Sequence, residues 1–181
     1  MTKDDEIFNE LQAIIDNHQN CIEDYNAVLK NYSYKKMSIG VDIYGMYYPE
    51  HKLEKYFTYK GKLTNNEKRK DYAYFFDNDD RLILTERYAE GSLLNIILFY
   101  HYENKIEIVW YCTQRKIICD VAEIIYHDNV LSKFIESGDV GRKLDTFKEY
   151  TFDADDEYVL EYGYHRSGTG KEYKYKSKMK K

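Results

Sequence analysis

The sequence predicts an α+β fold: a long N-terminal helix packed on a strongly curved antiparallel β-meander of about eight to ten strands, with a short inserted helix near residues 128–137. Three observations predict it. Residues 92–126 read SLLNIILFYHYENKIEIVWYCTQRKIICDVAEIIY, a dense succession of strand formers punctuated only at Glu103-Asn104 and Thr113-Gln114-Arg115. Near the N-terminus, Ile7, Leu11, Ile14, His18, Cys21 or Ile22, Tyr25 and Val28 or Leu29 recur at steps of three and four, one helical stripe. Elsewhere, aromatic strand ends repeatedly flank polar turns, the pattern of successive hairpins.

Taken in order, Thr2 and Asp5 suit a helix start, with Asp4 and Glu6 favourable at the positive end of the helix dipole. The helix is expected over 1–31, with a break at 17–20, where asparagine and histidine lower helix propensity. Its single apolar face predicts that it lies across a sheet; a coiled-coil partner is the alternative, without the charge pattern that would support it. Antiparallel strands are predicted over 32–126 and 144–178. Gly40 and Gly45 mark bends, and Tyr48-Pro49 closes the first strand segment. Leu94, Ile96, Leu98 and Tyr100 alternate with Leu93, Ile97 and Phe99, so that strand is apolar on both faces and belongs in the centre of its sheet. In the next, Ile106, Ile108, Trp110 and Cys112 share one face. A helix is predicted over 127–138, with Asp128 as N-cap, Val130, Leu131, Phe134 and Ile135 as its stripe, and Gly138 beyond its end. A lysine row over 172–178 suits a protected edge strand.

At 181 residues the chain is read as a single domain, long enough for a core without disulfide or metal staples; two very small domains are the alternative. Twenty-one tyrosines against one tryptophan suit a sheet with a wet face, where rings pack and hydroxyls reach water. Cys21, Cys112 and Cys119 form no motif and point to a reducing compartment. No leader or apolar helix precedes the amphipathic pattern, so a cytoplasmic protein without membrane contact is expected. The net charge of −5 is unevenly spread: residues 171–181 hold six lysines and one glutamate, which leaves 21 basic and 31 acidic side chains in the first 170 residues, a net −10. Such a body repels nucleic acid and attracts basic partners.

Catalytic and cofactor motifs are not found. His18, His51, His101, His127 and His165 stand singly, without metal-ligand spacing. The acidic turns 77–80 and 153–157 lack the glycine and distal glutamate of a calcium loop and are read as turn chemistry. Arg166-Ser167-Gly168-Thr169-Gly170-Lys171 misses the phosphate-loop spacing. No enzyme activity, metal or cofactor is therefore expected. The lysine–tyrosine tail from Lys171 has the charge and rings to bind RNA, but the acidic body opposes it. Acids at loop tips beside rings suit a basic protein partner, since charge steers association and tyrosine anchors it. The candidate contact residues are Asp77, Asp79, Asp80 and Tyr74 at one turn, and Asp153, Asp155, Asp156 and Tyr158 at the other.

A short chain with an N-terminal helix, then a tyrosine-rich, acid-looped meander without catalytic motifs, resembles the immunity proteins of bacterial polymorphic-toxin and contact-dependent inhibition systems. The segment Tyr74-Phe75-Phe76-Asp77-Asn78-Asp79-Asp80-Arg81-Leu82 is also similar to tyrosine–aspartate repeats of the toxins, at a different period. The resemblance is in whole-chain style. It implies tight binding to a cognate toxin domain, often a nuclease, with no catalysis and no cofactor. The other readings are a small-molecule or lipid-binding β-barrel, whose rings line a cavity, and an enzyme whose site is assembled from distant residues.

Overall fold

The strand-forming runs become strands and the N-terminal stripe becomes helical, giving a mixed α+β fold dominated by antiparallel sheet. The computed structural model describes residues 3–44, 61–128, 130–137, 146–152, 157–164 and 175–178. Among the described residues are two helices, α1 (Lys3–Asn17) and α2 (Cys21–Asn31). Eleven strands follow: β1 (Tyr34–Ile39), β2 (Lys62–Leu63), β3 (Tyr72–Phe76), β4 (Leu82–Ala89), β5 (Ser92–His101), β6 (Lys105–Cys112), β7 (Ile117–His127), β8 (Val130–Ser137), β9 (Thr146–Phe152), β10 (Glu157–Tyr164) and β11 (Tyr175–Lys178). No helix among the described residues is long and apolar enough to cross a membrane.

The chain divides into two compact units interleaved in sequence. One comprises 1–19, 101–109 and 118–181; the other comprises 20–100 and 110–117. The helical stretch expected over 1–31 forms two helices instead of one long one, parted at His18–Asn20, within the stretch of low propensity where a break is expected. α1 belongs to the first unit and α2 to the second.

In the second unit the strand order is β2-β1-β3-β4-β5. The register aligns Met37, Ala73, Glu86 and Ile96 in one cross-strand row, and Lys35, Phe75, Leu84 and Leu98 in the next. α2 docks on this face: the Tyr25 hydroxyl donates to Glu86 at 2.7 Å and the Tyr100 hydroxyl to Asp24 at 2.7 Å. The opposite face carries Tyr34 and Phe76, then Lys36, Tyr74, Thr85 and Ile97, then Ser38, Tyr72, Arg87 and Asn95. Ile96, Ile97, Leu98 and Phe99 are all buried, so β5 is covered on both faces, as its two-sided apolar pattern predicts. The β4–β5 turn is Glu90-Gly91 with φ of 51° and 78°, the left-handed pair that a two-residue hairpin requires.

In the first unit β7 to β11 follow one another in sheet order. α1 packs by the face that its stripe predicts: Ile7, Phe8, Leu11 and Ile14 are buried, as is His18 just beyond its end. Phe8 meets Phe147 of β9 edge-on at 5.3 Å, Glu10 pairs with Lys133 of β8 at 3.2 Å, and His18 reaches Glu107 of β6 at 2.7 Å. The helix and the residue after it are thus fastened to β9, β8 and β6. Each of its buried Ile and Leu side chains is worth roughly 1.5–3 kcal/mol relative to exposure.

The helix expected over 127–138 is not formed; β8 (Val130–Ser137) occupies those residues. It pairs with β7 from Ala122↔Glu136 to His127↔Val130, and with β9 from Lys133↔Thr151 to Ser137↔Phe147. Phe134 and Ile135 are both fully buried, on opposite faces of the strand. A strand covered on both sides places apolar residues next to each other, which imitates part of a helical stripe. Asp128, expected as the N-cap, has φ of 49° and turns the β7–β8 hairpin, a conformation that aspartate tolerates.

Candidate partner-binding surface

The acidic turn between β3 and β4 is built by Asp77. Its Oδ1 accepts the amides of Asp79 and Arg81, each at 2.9 Å, and its Oδ2 accepts the Arg81 Nε–H at 2.7 Å. The Asp77 amide donates to the Arg81 carbonyl at 3.0 Å, closing the turn, while Asp80 takes φ of 60° at its tip. Burial pushes the Asp77 carboxyl up, but the two amides and the guanidinium outweigh it and hold the group below the ordinary aspartate value. Asp77 is therefore a turn-former whose oxygens are already occupied.

Asp79 is different. Its side chain is 74% exposed, and its contact is a 3.2 Å ion pair to the half-exposed Arg81 guanidinium. Asp80 accepts a hydrogen bond from the Tyr34 hydroxyl, which, after burial, is the main reason that the Tyr34 phenol is harder to ionise than usual. Beside it the Lys36 ammonium lies 5.4, 5.6 and 5.3 Å from the ring centres of Tyr34, Tyr44 and Phe76, within cation–π range. The hydrogen bond and the charge of the Tyr44 phenol raise the Lys36 pKa. Tyr34 stacks on Phe76 at 4.8 Å, and Tyr44 meets Phe76 edge-on at 5.3 Å. Tyr34, Lys36 and Tyr44 are partly exposed, and Asp79 and Asp80 are exposed. The result is a ring cluster with one internal cation, bordered by an acid-bearing turn.

Tyr74 does not belong to this surface as a contact residue, which corrects the expectation. It has 0% exposure; its hydroxyl pairs with Ser38 Oγ at 2.9 Å and accepts the Ile43 amide at 3.1 Å. Its ring meets Tyr44 at 4.7 Å and stacks on Tyr72 at 6.1 Å. Residues 43 and 44 fold over it, so a side chain that has a wet end in the sequence becomes an internal anchor. Asp153, Asp155 and Asp156 lie outside the described residues. Tyr158 is the second residue of β10, opposite Phe152 and Ser177, and its side chain lies outside the described residues as well.

No group of three or more His, Cys, Asp or Glu among the described residues could hold a metal ion. His127 lies 3.7 Å from Asp128, both more than four-fifths exposed, a geometry without the desolvation that tunes an acid–base pair.

Sequence reasoning missed a set of buried carboxylates. Glu86, Glu107, Glu123 and Glu149 are each 3–6% exposed. Glu86 accepts the hydroxyls of Tyr25 and Tyr88. Glu107 is held by His18 at 2.7 Å and Lys105 at 2.6 Å, and Lys105 also reaches Glu123 at 2.9 Å. Lys3 approaches Glu149 to 2.6 Å, outside hydrogen-bond geometry, so that contact is one of charge. The available signal was an acid at a strand position facing a helix stripe with a lysine or histidine spaced to meet it. These clusters pair every acid with a base or phenol, which suits structural fastening.

Comparison with protein-family models, with curated proteins and with solved structures finds no match.

Proposed function

We propose that this chain is a non-catalytic cytoplasmic binding protein of the immunity type, which engages and neutralises a basic toxin domain. The observation that carries the reading is the surface of partly exposed Tyr34 and Tyr44 bordered by the exposed Asp79 and Asp80. Rings already packed on Phe76 lose little entropy on binding, and an exposed acid paired with an exposed arginine can exchange that partner for an incoming one. The net −10 of residues 1–170 adds a long-range field of the right sign. Cys21 and Cys112 are free thiols, in keeping with a reducing compartment.

The test is co-expression with the product of the neighbouring gene, followed by purification and a growth assay. Co-purification and rescue of growth support the reading. A neighbour that neither binds nor is neutralised removes it.

A further inference from the structure

We propose that Tyr34, Tyr44 and Phe76 form a cation cage in which Lys36 is a built-in stand-in, and that the cage takes a lysine ammonium of the protein partner when Lys36 swings out. The choice of occupant rests on the binding reading above; the cage itself rests on the geometry of the second unit.

Strand register and one loop build the walls. Residues 34 and 36 share a face of β1, because side chains alternate along a strand. Tyr34 lies directly opposite Phe76 of β3, and Lys36 directly opposite Tyr74. The rings of Tyr34 and Phe76 stack at 4.8 Å, within 9° of parallel. The third wall, Tyr44, comes from the loop after β1. Its amide donates to Asp42 Oδ1 at 3.0 Å, and the neighbouring Ile43 amide donates to the buried Tyr74 hydroxyl at 3.1 Å. The Tyr44 ring then meets Tyr74 at 4.7 Å and Phe76 at 5.3 Å. The Lys36 ammonium lies 5.3 to 5.6 Å from all three ring centres. Ring faces are electron-rich, so three of them about one point favour a cation there. The ammonium also donates to the Tyr44 hydroxyl and feels the charge of Asp80. Phe76 is 4% exposed, whereas Tyr34, Lys36 and Tyr44 are partly exposed, so the site has a dry floor and a wet rim.

The stand-in shows what the cage fits. It is an alkylammonium, a compact cation on a four-carbon stem, and a partner lysine brings the same group. Tethered by its own side chain, Lys36 competes at an effective concentration on the order of millimolar, so dilute free cations do not displace it. A lysine delivered by a docked partner is tethered too and competes on equal terms. Displacement leaves no charge stranded: at the wet rim the Lys36 ammonium passes to water and to the exposed Asp80. The acids of the β3–β4 turn lie at that rim and favour an incoming cation.

The test uses n-butylammonium chloride as a lysine side-chain probe, with sodium chloride at equal ionic strength and neutral 1-butanol as controls. Ring-proton shifts of Tyr34, Tyr44 and Phe76 report binding in the parent, in Lys36→Ala and in Lys36→Ala combined with Tyr44→Ala. Removing the stand-in should tighten the probe by about tenfold, the scale of three partly exposed ring contacts, and removing one wall as well should reverse that gain. Neither control should reproduce the shifts. Equal probe affinity in the parent and Lys36→Ala, or shifts matched by 1-butanol, overturns the proposal. With no toxin present, failure here removes the cage and leaves the co-expression test standing. Failure of co-expression removes the partner lysine as occupant, whatever the probe does. Should Lys36→Ala not fold, the Lys36 ε-methylene protons of the parent decide it. Ring-shifted signals that move toward the free-lysine position as n-butylammonium is added uphold an exchangeable stand-in, and signals that stay fixed overturn it.

Discussion

At Tyr74 the hydroxyl, the feature that made the residue readable as a surface anchor, is what secures it inside. It pairs with Ser38 and accepts the Ile43 amide, so removing it strands two buried polar groups. Tyr74→Phe is expected to cost about 1–2 kcal/mol in chemical denaturation, with partner binding unchanged. A loss of binding without a loss of stability would return Tyr74 to the contact surface. Asp77 and Asp79 illustrate the same divergence in one turn. Spacing in the sequence shows three acids and an arginine; it does not show that Asp77 spends its oxygens on backbone amides while Asp79 stays in water. Burial and partner choice are tertiary properties, and they decide which acid is available.

At the scale of elements, β5, β6 and β7 were legible because their residues fit a strand and fit a helix poorly. β8 was not, since Val130, Leu131, Phe134 and Ile135 satisfy a helical period in the sequence, while Phe134 and Ile135 fill opposite faces of a covered strand. The burial of β5 on both faces is testable. Ile96 and Leu98 are each 2% exposed, and Ile96→Ala or Leu98→Ala is expected to cost about 2–5 kcal/mol. Melting within a degree or two of the parent would make β5 peripheral. α1 is fastened by charge as well as by its buried apolar face. Burial raises the pKa of Glu107, but hydrogen bonds from Lys105 and His18 and their charge bring it below the ordinary 4.5. With its folded pKa depressed, Glu107 stabilises the fold above pH 4.5, and that contribution is lost as pH falls through the lower folded value. Glu107→Gln should lower stability at pH 7 by about 1–3 kcal/mol and narrow the gap to the parent at acid pH. A gap that stays constant on acidification would show that the carboxylate charge does not hold α1.

At the scale of the whole molecule, composition gave a net charge and an expectation of basic partners, whereas the candidate surface required the fold. Tyr34, Lys36, Tyr44, Phe76 and Asp79 are scattered over 46 positions of sequence, and the β1–β3 pairing and the β3–β4 turn gather them. Charge and rings should then act on different steps of association. Asp79 is exposed, so its field is screened by salt and serves encounter. Tyr34 and Tyr44 are partly covered, so in the proposed complex their faces would serve the bound state. With the cognate partner in hand, Asp79→Lys is expected to slow association by about tenfold at low salt and to flatten its salt dependence, with dissociation little altered. Tyr34→Ala should instead speed dissociation, at a cost of roughly 2 kcal/mol or more if the ring is an anchor. Stopped-flow or surface kinetics at two salt concentrations separate the two effects. If both variants change only the dissociation rate, the acid is desolvated in the complex. If neither changes either rate, the partner docks on another surface, and the ring cluster around Lys36 serves the fold alone.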